Sequence, residues 1–305
     1  MVNTLSSGDL EPFDRVYKTV TQQIIHYANK RLLGREQSWL LRLVATFQLE
    51  RDKWNTEPSL DAYRGEWQRL QPRMFKLVAG AYLHISYDLP RAIANDWPGT
   101  GAWDPCPSEF EGEKIFFVMR PMFPRSMRIA LSDQGAVGRA RFFLGFLPAS
   151  ARRQLGFWVK ELRRAAWDHA RILATQPNRQ RREAAMVVAM TVALKEASAL
   201  DPLSGLLEPP DSAIYRVSWE IVLLIIVAPL VYGAVIGWVL LLLRSYIDYL
   251  WRLDRREYNF IQGFGVRLLI QMDRAGREPE RYLSETREKY PDIVALAEGR
   301  EGGLS

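Results

Sequence analysis

Residues 221–243 read IVLLIIVAPLVYGAVIGWVLLLL, and no charged residue interrupts this run before Arg244. At about 1.5 Å per residue, a helix of this length spans about 34 Å, more than the roughly 30 Å of hydrocarbon in a bilayer. The run therefore predicts a transmembrane or deeply inserted helix. A buried central helix of a large bundle is the alternative. Aromatic residues of the kind found in membrane-interface belts flank the run (Tyr215, Trp219, Tyr246, Tyr249 and Trp251).

Two features inside the run indicate its shape and packing. Pro229 has no amide hydrogen, so it removes one helical hydrogen bond and predicts a kink. Gly233 and Gly237 form a G-x-x-x-G pair, the small-residue face on which membrane helices approach each other closely. We expect a homo-oligomer of this chain to use that face, although glycines are also common in membrane helices that do not self-associate.

The whole chain indicates an all-α protein, a helical bundle followed by a hydrophobic transmembrane-type helix. Apolar residues recur at helical spacing, and the alternation typical of strands is scarce. One helix, over residues 38–53, is expected to turn Leu41, Val44, Ala45 and Leu49 inward. The predicted divisions are a flexible N-terminus at 1–11, the bundle at 12–200, a linker at 201–213, the membrane helix at 214–251 and an amphipathic, charged tail at 252–305.

Composition and motif content exclude several functional classes. The single Cys106 rules out a disulfide framework within the chain and any site built from several cysteines. The N-terminal sequence has no basic segment followed by an apolar one, so no signal peptide is predicted. The P-loop, the G-x-S-x-G nucleophile elbow and the H-E-x-x-H zinc motif are all absent from the sequence.

A basic stretch runs from Lys114 to Arg164, where eleven Lys and Arg residues accompany two acidic residues, Asp133 and Glu161. Next to a membrane segment, this stretch favours an anionic lipid surface, and no specific nucleic-acid binding is expected. A solvated helix face with unrelated arginines is the alternative. The residues predicted to lie on the lipid surface are arginines of this stretch (Arg139, Arg141, Arg152, Arg153, Arg163 and Arg164).

Three histidines limit the available chemistry. His84 lies on the apolar face of its helix, and Asp88 follows four residues later on the same face. A buried carboxylate needs a partner, so the two residues form either a polar clasp that fixes helix packing or an acid–base histidine oriented by its aspartate. His169 also falls on an apolar face, and its convergence with the pair would suit a zinc or iron ion. His26 is expected to be exposed. The candidate catalytic residues are thus His84, Asp88 and His169, and the cofactor is left open.

Three short motifs resemble a known family. Residues 13–21 read FDRVYKTVT, residues 80–90 read GAYLHISYDLP, and residues 164–170 read RAAWDHA. They resemble the uncharacterised helical family called domain of unknown function 5995, and the resemblance covers about residues 10–175.

The most recognisable helix of that family reads roughly N-A-H-I-N-x-D-L-P. His84, Asp88 and Pro90 match this pattern, whereas Tyr82 and Ser86 stand where the family tends to have asparagines. The resemblance implies an all-α bundle with the His84/Asp88 helix near its centre. It brings no established activity.

Together these features predict a membrane-anchored α-helical binding or scaffolding protein that acts on a lipid-like or protein partner. The alternative is a membrane-associated enzyme that uses the His/Asp site on a hydrophobic substrate. The positive-inside rule places the tail in the cytoplasm and the bundle outside, because Arg216 alone precedes the run closely. Export of the bundle without a signal peptide is not expected, so we predict a cytoplasmic bundle. The arginines that follow the run are Arg244, Arg252, Arg255 and Arg256.

Overall fold

The computed structural model describes residues 37–70, 73–98, 108–118, 150–199 and 233–299, together with positions 22, 25 and 26. No strand occurs in these ranges, which confirms the all-α prediction. The helices, in chain order, are α1 Gln37–Asp52, 3-10 turns Lys53–Asn55 and Pro58–Leu60, α2 Asp61–Gln68, α3 Arg73–Leu83, a π-helical turn His84–Asp88, α4 Leu89–Asn95, α5 Glu109–Val118, α6 Ser150–Thr175, α7 Arg179–Ala199, α8 Gly233–Arg277, α9 Pro279–Lys289 and α10 Pro291–Ala297.

Helix α7 lies at the centre of the bundle. Its residues 185–194 are buried without interruption, because this segment is apolar on every side and needs neighbours all around it. Helices α2, α6, α8, α9 and α10 supply those neighbours. Thr191, the polar residue of the segment, donates its hydroxyl to the Val187 carbonyl at 2.9 Å. Its burial therefore leaves no hydroxyl without a partner.

Helices α6 and α8 form a parallel pair. Trp158 lies against Gly265, and eleven residues further along both helices His169 lies against Gly276, so the pair keeps one register. A Cβ atom at Gly265 would come within 2.4 Å of the Trp158 indole, which makes glycine necessary for this close approach. Helix α7 runs antiparallel to α8, since Arg182 near its start donates to the Gly276 carbonyl near the end of α8.

The C-terminal part of the chain belongs to the bundle core. Helix α8 is continuous from Gly233 to Arg277, so no element boundary falls at the predicted division between residues 251 and 252. This part was expected to be a tail, but its apolar side faces α6 and α7 and is buried by them. The buried residues of this part include Phe260, Ile261, Phe264, Leu268, Met272, Tyr282, Leu283, Ile293 and Val294.

The apolar run lies only partly within the described residues. Residues 221–232, with the kink predicted at Pro229, lie outside them, as does the predicted linker at 201–213. Residues 233–243 form the first turns of α8. Over the described ranges, no helix is both long and apolar enough to cross a membrane.

The chain on the two sides of the run folds into one body. Helices α6 and α7 precede the run, and the second half of α8, α9 and α10 follow it and pack against them. Arg181 of α7 lies 3.0 Å from Glu280 of α9, and Glu196 of α7 lies 3.2 Å from Lys289 of α9. Segments in contact lie on the same side of any membrane. The arrangement that the positive-inside rule gives for a single crossing, with the tail inside and the bundle outside, would separate these contacting segments, and the membrane topology stays a prediction.

Candidate functional site

A π-helical turn at His84–Asp88 joins α3 to α4. The Leu89 amide donates to the His84 carbonyl, five residues earlier. Pro90 explains the wider turn, because it has no amide hydrogen to offer the Ser86 carbonyl four residues before it. Single π turns inside helices recur at functional sites, so the side chains of this segment are the first candidates for a functional site.

His84 and Asp88 meet within this turn. The His84 Nδ1 atom contacts the Asp88 Oδ2 atom, and each residue is only 3% exposed. The Trp54 ring lies 6.2 Å from the imidazole and packs edge-on against Tyr63 and Trp67. Burial, and then the charge of Asp88, raise the pKa of Tyr63 well above its ordinary value. This aromatic enclosure fits a polar clasp, and the aspartate also orients the imidazole as an acid–base group requires.

His169 lies at the contact between α6 and α8. It is 4% exposed, and its Nδ1 atom has no hydrogen-bond partner in the described part of the chain. Burial lowers the pKa of His169 to about 4, although the charges of Asp273 and Asp168 act in the opposite direction. A Cβ atom at Gly276 would lie 3.6 Å from the ring, an ordinary van der Waals distance, so the imidazole packs against the backbone of α8 at this point. The imidazole is therefore neutral near pH 7.

The three candidate catalytic residues do not form a metal site. Among the described residues, no group of three or more His, Cys, Asp or Glu side chains could hold a metal ion. The contacts of His84 involve Asp88 and Trp54, whereas those of His169 involve the far end of α8. His26 is exposed, as expected.

The structure brings together a charged cluster that the sequence did not predict. The Arg91 guanidinium, 8% exposed, lies 2.9 Å from Glu57, 3.2 Å from Glu50 and 3.7 Å from Glu183. It also lies 4.6 Å from the Tyr87 ring, whose hydroxyl donates to Glu57 at 2.9 Å. Burial alone would raise the pKa of Glu57, but the hydrogen bond and charge of Arg91 hold it below its ordinary value.

Further polar groups connect this cluster to α1, α4 and α7. Glu50 also accepts from Lys53 at 2.8 Å and from Asn95 at 3.1 Å. Arg179 at the start of α7 donates to Glu183 at 2.8 Å and to Asn95 at 2.6 Å. The cluster thus ties three helices together with charge-assisted hydrogen bonds.

A cleft of about 440 Å³ lies beside this cluster, between the start of α7 and the end of α10. This volume falls within the range of small-molecule sites. Arg181, on its wall, donates to Glu298 at 2.5 Å and to Glu280 at 3.0 Å. The cleft offers charged and hydrogen-bonding groups, and none of the three candidate catalytic residues lines it. Its polar lining includes Glu57, Tyr87, Arg181, Glu183 and Glu298.

Two of the predicted lipid-surface arginines have described side chains. Arg163 is buried at 5% exposure and donates to the Phe116 carbonyl at 3.0 Å, so it does not lie on a lipid surface. Arg164 is exposed. Gly233 and Gly237 begin α8, but what surrounds them lies outside the described side chains. The same holds for the remaining predicted residues (Arg139, Arg141, Arg152 and Arg153).

No family model, curated protein or solved structure matches this chain. The resemblance to the family of unknown function 5995 therefore stays a prediction, and the chemistry of the described residues carries the functional argument.

Proposed function

We propose that this protein is an α-helical binding or scaffolding module held at a membrane by the apolar run at 221–243, where it acts on a lipid-like or protein partner. The observation that carries the proposal is the continuity of α8. Within the described residues, this one helix extends from Gly233, inside the run, to Arg277 in the bundle core. Anchoring the run therefore anchors the bundle directly.

Deep insertion suits the structure better than a single crossing. The segments before and after the run pack together, so the chain must enter and leave the membrane from the same face. In this arrangement the arginines after the run and the bundle share one side. The positive-inside rule then agrees with a cytoplasmic bundle, and the conflict that it raised for a single crossing disappears.

Binding suits the site better than catalysis. His84 and Asp88 are enclosed by aromatic rings, whereas the cleft beside Arg91 is open to solvent and lined by polar groups. Catalysis on a hydrophobic substrate is the second candidate function, because the π-helical turn and the contact between His84 and Asp88 favour an oriented imidazole. Residue His169 would take part only after a rearrangement that brings it to the pair.

Two arginines placed in the run test the membrane proposal. In the variant Val231→Arg/Val235→Arg, which changes the middle of the run, each arginine should oppose insertion by about 2.5–3.5 kcal/mol. We expect the full-length protein to stay with membranes during alkaline carbonate extraction and the variant to be released. Thermal unfolding should change little, because the described core contacts of α8 begin at Arg256 and Phe260.

The matched control places two arginines on the exposed face of the same helix, as Val266→Arg/Ile270→Arg. These side chains are 38% and 55% exposed, so the control should remain in the membrane fraction. Retention of the Val231/Val235 variant would contradict the proposal. Loss of its cooperative unfolding would instead identify the run as a core helix.

A further inference from the structure

The parallel pair of α6 and α8 has an outer side, which is turned away from the bundle core. Trp158 and Gly265 mark the line along which the two helices touch. From that line, helical spacing turns Phe157 of α6 and Val266 and Ile270 of α8 to the outer side. Three of the seven large apolar side chains that are exposed in the described part of the chain therefore lie together here, at 49%, 38% and 55% exposure. Such a patch indicates a contact surface.

Charged residues continue this outer side towards the end of the helix pair. Arg277 lies 2.7 Å from Asp273, and Asp168 lies 3.7 Å from Arg171. The pKa of Arg277 is raised by its hydrogen bond to Asp273 and, more weakly, by the charge of Asp168, so the charges of α6 and α8 are close to each other here. Arg164 lies on the outer side between the patch and these groups. It is exposed and makes no ion pair or hydrogen bond with another described residue.

A second copy of this chain fits the outer side. In a symmetric pair whose two-fold axis runs parallel to the helices, α6 of one copy faces α8 of the other copy at the same height. The shared register of α6 and α8 then places Phe157 within one helical turn of Val266 in the other copy. The same register places Arg164 within one turn of Asp273 in the other copy. Apolar side chains therefore meet apolar side chains, and the unpaired arginine meets a carboxylate.

The size of the outer side suits a modest interface. Helices α6 and α8 run together for about 20 residues, or about 30 Å, and two helices side by side are about 20 Å wide. The resulting footprint of about 600 Å² per copy is smaller than the roughly 800 Å² of a standard interface. Attachment by the apolar run compensates for this difference, because it confines both copies to one surface and raises their effective concentration.

We propose that two copies of this chain associate through the outer side of α6 and α8, with the helices of the two copies parallel. This inference rests on the proposed function, because parallel helices carry both apolar runs to one membrane, whereas antiparallel helices would point the runs in opposite directions. It goes beyond the G-x-x-x-G contact expected at Gly233 and Gly237, because it names an interface in the bundle and the side chains that form it.

Cysteine cross-linking in lipid vesicles tests the geometry. The natural Cys106 is first replaced by serine, and Phe157→Cys and Val266→Cys are introduced into separate full-length chains that carry different affinity tags. After reconstitution of both chains together, we expect a short bismaleimide to join unlike chains much more efficiently than like chains. Preferential joining of two Val266→Cys chains would instead indicate antiparallel helices and would overturn the inference.

Two arginines on the outer side provide a second arm. Energy transfer between donor-tagged and acceptor-tagged chains in vesicles measures association. The variant Val266→Arg/Ile270→Arg should lower this association by at least about tenfold, because it brings like charges together, and it should stay in the membrane fraction. The matched control Leu49→Arg/Phe110→Arg changes two side chains that are 65% and 74% exposed elsewhere and should associate as the natural chain does. Circular dichroism first establishes that each variant is folded.

A charge exchange tests the polar part of the interface. Arg164→Glu should weaken association by about tenfold, because it places two carboxylates opposite each other. Adding Asp273→Lys to the same chain restores an opposite-charge pair between the copies and should recover part of the lost association. An additive loss in the double variant would overturn the pairing of these two residues.

The outcomes separate this inference from the proposed function. A chain that carbonate extraction releases overturns the proposed function and this inference together. A chain that stays in the membrane but shows no energy transfer overturns the interface alone. Transfer that survives Val266→Arg/Ile270→Arg but is lost in Gly233→Leu/Gly237→Leu also overturns it, because the contact would then lie in the apolar run.

Discussion

Acidification should destabilise the bundle through His169, which lies between α6 and α8. In the folded state, burial lowers the pKa of His169 to about 4 from its ordinary value of 6.5. Between about pH 6.5 and pH 4, His169 is therefore protonated in the unfolded chain but remains neutral in the folded chain. The stability that the neutral imidazole contributes is fully present above that pH, and it is lost as the pH falls towards 4.

The size of the effect follows from the difference between the two pKa values. A shift from 6.5 to about 4 corresponds to about 3 kcal/mol when fully expressed, at about 1.4 kcal/mol for each unit. At about pH 5, this difference should already lower the free energy of unfolding by about 2 kcal/mol, which is about thirtyfold in the unfolding equilibrium. The protein should still be folded at this pH if its total stability is ordinary.

Urea denaturation at about pH 7.5 and pH 5 measures the effect. The variant His169→Gln keeps a polar side chain but does not titrate, so its free energy of unfolding should fall by about 2 kcal/mol less than that of the natural chain. Carboxylates titrate in both proteins, and the comparison removes their contribution. The control His26→Gln changes an exposed histidine and should behave as the natural chain does. An equal fall with pH in the natural chain and in His169→Gln would refute the assignment of this titration to His169.

Two further predictions concern the buried polar groups. Arg91→Leu leaves Glu50 and Glu57 without their shared guanidinium and should cost about 3–5 kcal/mol in urea denaturation. The control Arg179→Ala removes a partly exposed arginine and should cost about 1 kcal/mol or less. If both variants lost the same stability, Arg91 would not be the main stabilising residue of the cluster. Asp88→Asn should lower stability by about 1–3 kcal/mol if the residue is a clasp, with no metal found by elemental analysis of either protein. An unchanged melting temperature with a lost activity or lost metal would favour the enzymatic alternative.

Local periodicity predicts part of this structure well. The apolar spacing around His84 and His169 places both histidines on buried faces, and both are buried. The four-residue separation of His84 and Asp88 also predicts their contact. These features depend on the geometry of one helix, which a sequence pattern records directly.

The pattern fails where a distant charge decides which side of a helix is buried. Helix α1 was predicted to turn Leu49 inward, yet Leu49 is 65% exposed and its neighbour Glu50 is 4% exposed. Glu50 faces inward because it binds Arg91, which lies on α4. The apolar spacing of α1 cannot predict this ion pair, because Arg91 is distant in the sequence. The Arg91 cluster and the cleft beside it therefore follow from tertiary packing.

The position of the apolar run, at the start of α8 and ahead of the last helices, determines the order in which the molecule can be completed during synthesis. The apolar run leaves the ribosome before the second half of α8, α9 and α10, which cover α7. At about 5–20 residues per second, several seconds separate the two events. In that interval α7 lacks its C-terminal neighbours, while the run is already free to meet a bilayer. If the run inserts as proposed, the last helices close the core next to the membrane surface, and capture by lipid precedes completion of the fold.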